Sequence, residues 1–155
     1  MTRYAAIAIF LSLSLTSITS AQSYGYAFAG FGNETGYSGY THIGIGGDWI
    51  GGKGFGVGGE VGGVTNRRQG APSVALLSGN GSYHVPLANS TVDPFVSAGI
   101  SLITTGSSGE FLWNWSGGAN WWMRPRFGVR FEFRDHVWTR AERHLAEIRF
   151  GISFR

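Results

Sequence analysis

Four groups of residues in this chain have types and spacings that could do chemistry. Ser82 and His84 are two apart, which in a strand puts both side chains on one face. With Glu60 from a neighbouring strand they would make a nucleophile, a base and an orienting carboxylate, the set an acyl hydrolase needs. Gly54, Gly56 and Gly59 match the string of a dinucleotide-binding loop. His42, His84, His136 and His144 are candidate metal ligands. The fourth group is ionic: Glu60, Arg130, Glu132, Arg134, Glu147 and Arg149.

Two of these groups lead nowhere. The glycine string runs on as Gly and Val, where a pyrophosphate site needs the N-terminus of a helix. The histidines show no H-E-x-x-H spacing, and the chain contains no Cys. No cofactor and no metal are therefore expected. The absence of Cys also removes disulfides.

The ionic group is the informative one. In segment 127–136, Phe127, Val129, Phe131 and Phe133 alternate with Gly128, Arg130, Glu132 and Arg134. A strand sends these two sets to opposite faces. Near the end of the chain, Ile148, Phe150, Ile152 and Phe154 alternate with Glu147, Arg149, Gly151 and Ser153. Charges of both signs on adjacent strands can pair in a ladder, which a narrow interior would require of them. The alternation alone does not choose between charges in water and charges in a narrow interior; in the second case the six ionic residues form a candidate interior charge network, with the apolar faces turned outward.

The elements that would position this network are strands. Eight segments read as extended: 24–31, 41–50, 54–65, 74–85, 94–104, 111–123, 127–136 and 144–154. No segment beyond the start of the chain has an apolar face at helical spacing, and 26 glycines punctuate the sequence. Segments of this length fit the 9–11 residues or so that a tilted membrane-spanning strand needs. Only 14% of the residues are charged and 15% are aromatic, against about 25% charged in ordinary soluble domains. Much of the surface is therefore expected not to face water. The net charge of +3 is too small to argue for nucleic acid.

Residues 1–21 have the pattern of a cleaved signal peptide: Arg3, an uncharged apolar stretch over 4–15, and small residues at Thr19 and Ala21 for cleavage after Ala21. Residues 22–155 would form the mature domain. Aromatic residues fall at strand ends. Trp49, Tyr83, Trp121, Phe127 and Phe154 would lie at one rim, and Phe31, Tyr40, Trp113 and Trp138 at the other. Among them Trp49, Tyr83, Trp113, Trp121, Trp138 and Phe154 are the candidate aromatic girdle of a spanning barrel.

The alternating final strand with its aromatic Phe154, and the segments 94–102 and 124–135, resemble the small eight-stranded outer-membrane β-barrels of the OmpA transmembrane domain and OmpX type. Arg155 follows Phe154, so the terminal aromatic is displaced by one residue from that family's pattern. The resemblance implies an all-β, eight-stranded antiparallel up-and-down transmembrane barrel in a bacterial outer membrane. It implies a monomer with a structural role and short extracellular loops. Its partners would be outer-membrane lipids and lipopolysaccharide, with Arg67, Arg68, Arg140 and Arg143 near the phosphates, and the barrel-assembly machinery during biogenesis. No nucleic acid partner and no enzymatic activity are expected. Two alternatives remain: a soluble, lipocalin-like barrel with its aromatic faces inside, and a lipid A-modifying enzyme. In the lipid A deacylases the catalytic Ser and His face lipid, whereas the alternation here turns Ser82 and His84 inward.

Overall fold

The structure, a computed structural model, describes residues 22–35, 39–66, 73–104, 108–140 and 142–155. The proposed signal peptide at 1–21, and Arg67 and Arg68, lie outside the described residues.

Eight antiparallel strands follow one another around a closed barrel. They are β1 (Gln22–Glu34), β2 (Gly39–Ile50), β3 (Phe55–Asn66), β4 (Val74–His84), β5 (Val92–Thr104), β6 (Gly109–Arg124), β7 (Phe127–Trp138) and β8 (Arg143–Phe154). β1 closes the ring against β8, from Gly25 opposite Phe154 to Glu34 opposite Leu145. Closure leaves no unpaired edge, the condition for β-structure in hydrocarbon. The rim where β1 begins and β8 ends is called the near rim below, and the opposite one the far rim.

Several strands run further than their apolar alternation suggested. Beyond the ends of segments 24–31 and 41–50, Gly32 pairs with Tyr40 and Asn33 with Gly39. At the other hairpin Val137 pairs with His144 and Trp138 with Arg143. Polar and glycine residues continue a ladder wherever the partner strand is already in register, since the ladder needs only backbone groups. The near-rim connections are short. The β2–β3 turn is closed by Gly54 N donating to Gly51 O at 3.0 Å and Gly51 N to Phe55 O at 2.7 Å. Gly54 has φ +84°, a left-handed conformation that other residues rarely adopt.

The barrel is apolar outside and polar within. Ile43, Ile45, Val57, Trp115, Phe131 and Phe150 all expose half or more of their surface. Inside, two apolar layers bracket a polar one. Tyr24, Tyr26, Phe28, Ile50 and Trp122 pack together toward the near rim. Tyr40, Val64, Leu76, Leu112 and Leu145 pack toward the far rim. Between them lie the charged residues.

Candidate functional site: the ionic interior

All six residues of the ionic group are buried, with Arg134, Glu132 and Arg149 each only 1% exposed. Inward direction follows from parity: Arg130, Glu132 and Arg134 alternate with exposed Phe131 and Phe133 along β7, and Glu147 and Arg149 with Ile148 and Phe150 along β8. Glu60 comes from β3, on the far side of the lumen.

The pairing differs from the ladder expected between β7 and β8. Register does set Glu132 opposite Arg149 and Arg134 opposite Glu147. The guanidiniums instead reach along their own strands and across the lumen. Arg130 Nε donates to Glu132 Oε2 at 3.0 Å and Arg134 Nε to Glu132 Oε1 at 2.8 Å. Arg149 Nε donates to Glu147 Oε1 at 2.6 Å. Glu60 then receives Arg134 Nη2 at 3.0 Å and Arg149 Nη1 at 2.8 Å. An arginine stem is long enough to span a narrow barrel, and its planar fork can serve two carboxylates. Three Arg and three Glu make the cluster neutral overall. His42 joins it, with Nδ1 3.1 Å from Glu147 Oε1.

The interior also holds aromatic rings, and β1 supplies three of them. An apolar-out rule would turn Tyr24, Tyr26 and Phe28 to lipid; the structure turns them inward and leaves Ala27 and Ala29 on the outer face. Room and partners decide this. Tyr26 sits opposite Gly46 and Phe28 opposite Gly44, and a Cβ on Gly46 would come within 2.6 Å of Tyr26 Cζ. Tyr24 Oη donates to Asp48 at 2.8 Å and Tyr26 Oη to Glu60 at 2.9 Å. The Arg130 guanidinium lies 4.3 Å from the Tyr26 ring centre and that of Arg149 lies 4.2 Å from Phe28. Cation–π contacts of this kind are strongest where water is excluded.

The girdle candidates divide. Trp49, Trp121 and Phe154 are exposed on the outer wall near one rim, and Trp113 near the other. Tyr83 is half-buried against Phe55, with ring centres 4.9 Å apart. Trp138 does not belong with them. It shares the inward parity of Arg134 and His136, packs beside the far-rim apolar cluster, and donates Nε1 to Glu110 Oε2 at 2.7 Å. Tyr40, also expected at the outer belt, is 3% exposed and inward. Strand-end position fixes a residue's height, but its face follows from parity alone.

The acyl-hydrolase set is not assembled. Glu60 is engaged by Arg134, Arg149 and Tyr26. His84 Nδ1 lies 3.0 Å from Asp93, and the described residues offer Ser82 Oγ no partner. Among the described residues no group of three or more His, Cys, Asp or Glu could hold a metal. Sequence reasoning passed over Asp135, whose carboxylate lies 2.7 Å from His144 Nδ1. The nine-residue separation across one hairpin was the signal that could have paired them.

Comparison with solved structures places this architecture. Neisserial surface protein A aligns over 88% of this chain and 99% of its own, with a TM-score of 0.70 at 14% identity. The fold is that of the small eight-stranded outer-membrane β-barrels. The N-terminal barrel domain of Pseudomonas aeruginosa OprF matches the barrel over 87% of this chain and 100% of its own (TM-score 0.61, 14% identity). Ail, the attachment invasion locus protein of Yersinia pestis, does so over 88% and 99% (TM-score 0.57, 11% identity). No family model and no curated protein matches the chain.

Proposed function

We propose that this protein is a structural barrel of a bacterial outer membrane, exported through the signal peptide at 1–21 and embedded as a monomer. The observation that carries the reading is the inversion of polarity. Phe131 and Phe150 are 50% and 57% exposed, while Arg130 and Glu132 are 3% and 1% exposed. In water this arrangement would expose a wall of apolar side chains, far beyond the patches that soluble monomers tolerate. In a bilayer it satisfies both faces.

A scaffold role is supported by how the lumen is filled. Arginines, glutamates and tyrosines bond to one another across it, with apolar layers at both ends. Eight-stranded barrels enclose little more than their own side chains. Short far-rim connections would face outward, with Arg140 near lipopolysaccharide phosphates; Arg143 pairs with Glu34 at 3.2 Å. The alternating β8 would be read by the assembly machinery.

Cell fractionation combined with heat-modifiable gel mobility tests this. The protein is expected in the outer-membrane fraction, migrating differently before and after boiling. Recovery from the soluble periplasm would overturn the reading in favour of a lipocalin-like protein, and the outward aromatic wall argues against that outcome.

A further inference from the structure

We propose that the β6–β7 turn on the near rim is a binding site for the phosphate of an anionic glycerophospholipid in the surrounding leaflet. The proposal rests on the membrane reading above and adds a specific partner to it. The turn is Arg124-Pro125-Arg126, and both arginines are exposed. Among the described residues, neither guanidinium has a hydrogen-bond or ion-pair partner. That sets them apart from Arg130, Arg134 and Arg149, each held by carboxylates.

The turn is built to hold its shape. Pro125 fixes its own φ. Arg155 Nε donates to Pro125 O at 2.8 Å, and Arg155 N to Arg126 O at 3.3 Å. The Arg155 guanidinium folds over the Trp122 ring at 4.2 Å, so it pins the turn from the mouth side. No exposed carboxylate side chain competes on this rim among the described residues. Asp48 is buried and takes the Tyr24 hydroxyl, and Asp93 pairs with His84.

Height and wall shape select the ligand. Trp121 and Phe127 flank the turn on the outer face, at the level where aromatic residues meet headgroups. Each further residue of strand rises about 3.3 Å, which carries Arg124 and Arg126 into the phosphate layer. Below them the outer wall carries small residues between larger ones. Ala119 stands opposite Phe131 and Gly117 opposite Phe133. A Cβ added at Gly117 would find nothing closer than 3.9 Å. An acyl chain lying there would pass between Val96 and the two phenylalanines. Guanidinium groups bind phosphate oxygens in bidentate fashion. A zwitterionic lipid brings its own ammonium group into this cationic corner, so the site favours a headgroup with net negative charge.

The test is lipid enrichment around the full mature protein in nanodiscs made from equal parts phosphatidylglycerol and phosphatidylcholine with matched chains. Lipids that stay bound on release from the disc are counted by native mass spectrometry. Wild type is expected to retain the anionic lipid in about fivefold excess or more, the scale for basic residues near an anionic headgroup. The R124Q/R126Q protein should fall close to parity. Parity in wild type, or an excess that survives R124Q/R126Q, overturns the proposal. So does binding to purified peptidoglycan without lipid preference. Should the double variant misfold, the wild-type excess must itself shrink as salt rises, and an excess indifferent to salt overturns the proposal. Failure of wild type to fold in either lipid would instead sink the membrane reading beneath it.

Discussion

Arg134 of β7 and Glu60 of β3 meet across the full width of the barrel, Nη2 to Oε2 at 3.0 Å, though their strands lie on opposite sides of the ring. Glu60 also takes Arg149 Nη1 at 2.8 Å. With the Tyr26 hydroxyl of β1 also donating to it, one carboxylate ties four strands. Replacing it leaves two buried guanidiniums short of a partner. Glu60→Ala is expected to destabilise the barrel by about 3–5 kcal/mol, the usual loss when one member of a buried ion pair is removed. Urea unfolding in lipid vesicles, followed by heat-modifiable mobility, measures it. A loss below about 1 kcal/mol would mean the network is incidental.

Glycines inside and outside the wall should respond oppositely to one methyl group. At Gly46 a Cβ would meet Tyr26 Cζ at 2.6 Å and Glu60 Cγ at 2.8 Å. Gly46→Ala should lose about 1–3 kcal/mol through overpacking. At Gly79 nothing lies within 4 Å. Gly79→Ala should be neutral or gain about 0.5–1 kcal/mol by restricting the unfolded chain. The same vesicle titration compares the two, and equal effects would contradict the assignment of faces.

A charge on the outer wall should be costly only if that wall meets hydrocarbon. Ile45 is 60% exposed in the middle of β2. Ile45→Arg should cost about 2–4 kcal/mol in a bilayer, the range for Arg at the midplane of a transmembrane barrel. The exposed surface of a soluble protein would accept it within about 0.5 kcal/mol. Folding yield into vesicles, wild type against variant, separates the two cases.

Strand number, order and closure were legible in the sequence because inward charge and outward apolar residues alternate with a strict period of two, most plainly around Arg130, Glu132 and Arg134. The facing of β1 was not. Tyr24, Tyr26 and Phe28 alternate with small residues, and nothing in β1 itself says that a tyrosine belongs inside. The information sits on the next strand, where Gly44 and Gly46 leave the space, and on β7 and β8, which bring the guanidiniums. Trp138 was misplaced for a related reason. Its nearness to the strand end suggested a belt, although its even number already gave it the parity of Arg134. The partners of Glu60 could not be read either, since contacts across a lumen leave no trace in spacing along the chain.

Trp121 and Trp122 permit the most direct test of which face meets lipid. They are consecutive on β6 and nearly level, yet Trp121 is 54% exposed and Trp122 is 8% exposed, its ring edge-on to Tyr24 at 5.7 Å. Two proteins, each keeping one of these tryptophans as its only one, would be folded into vesicles containing phospholipids brominated near the headgroup end of the chains. Strong quenching of Trp121 and weak quenching of Trp122 is the predicted result. Equal quenching of the two, or quenching of Trp122 alone, would contradict a barrel with its apolar face in lipid and its ionic face at the axis.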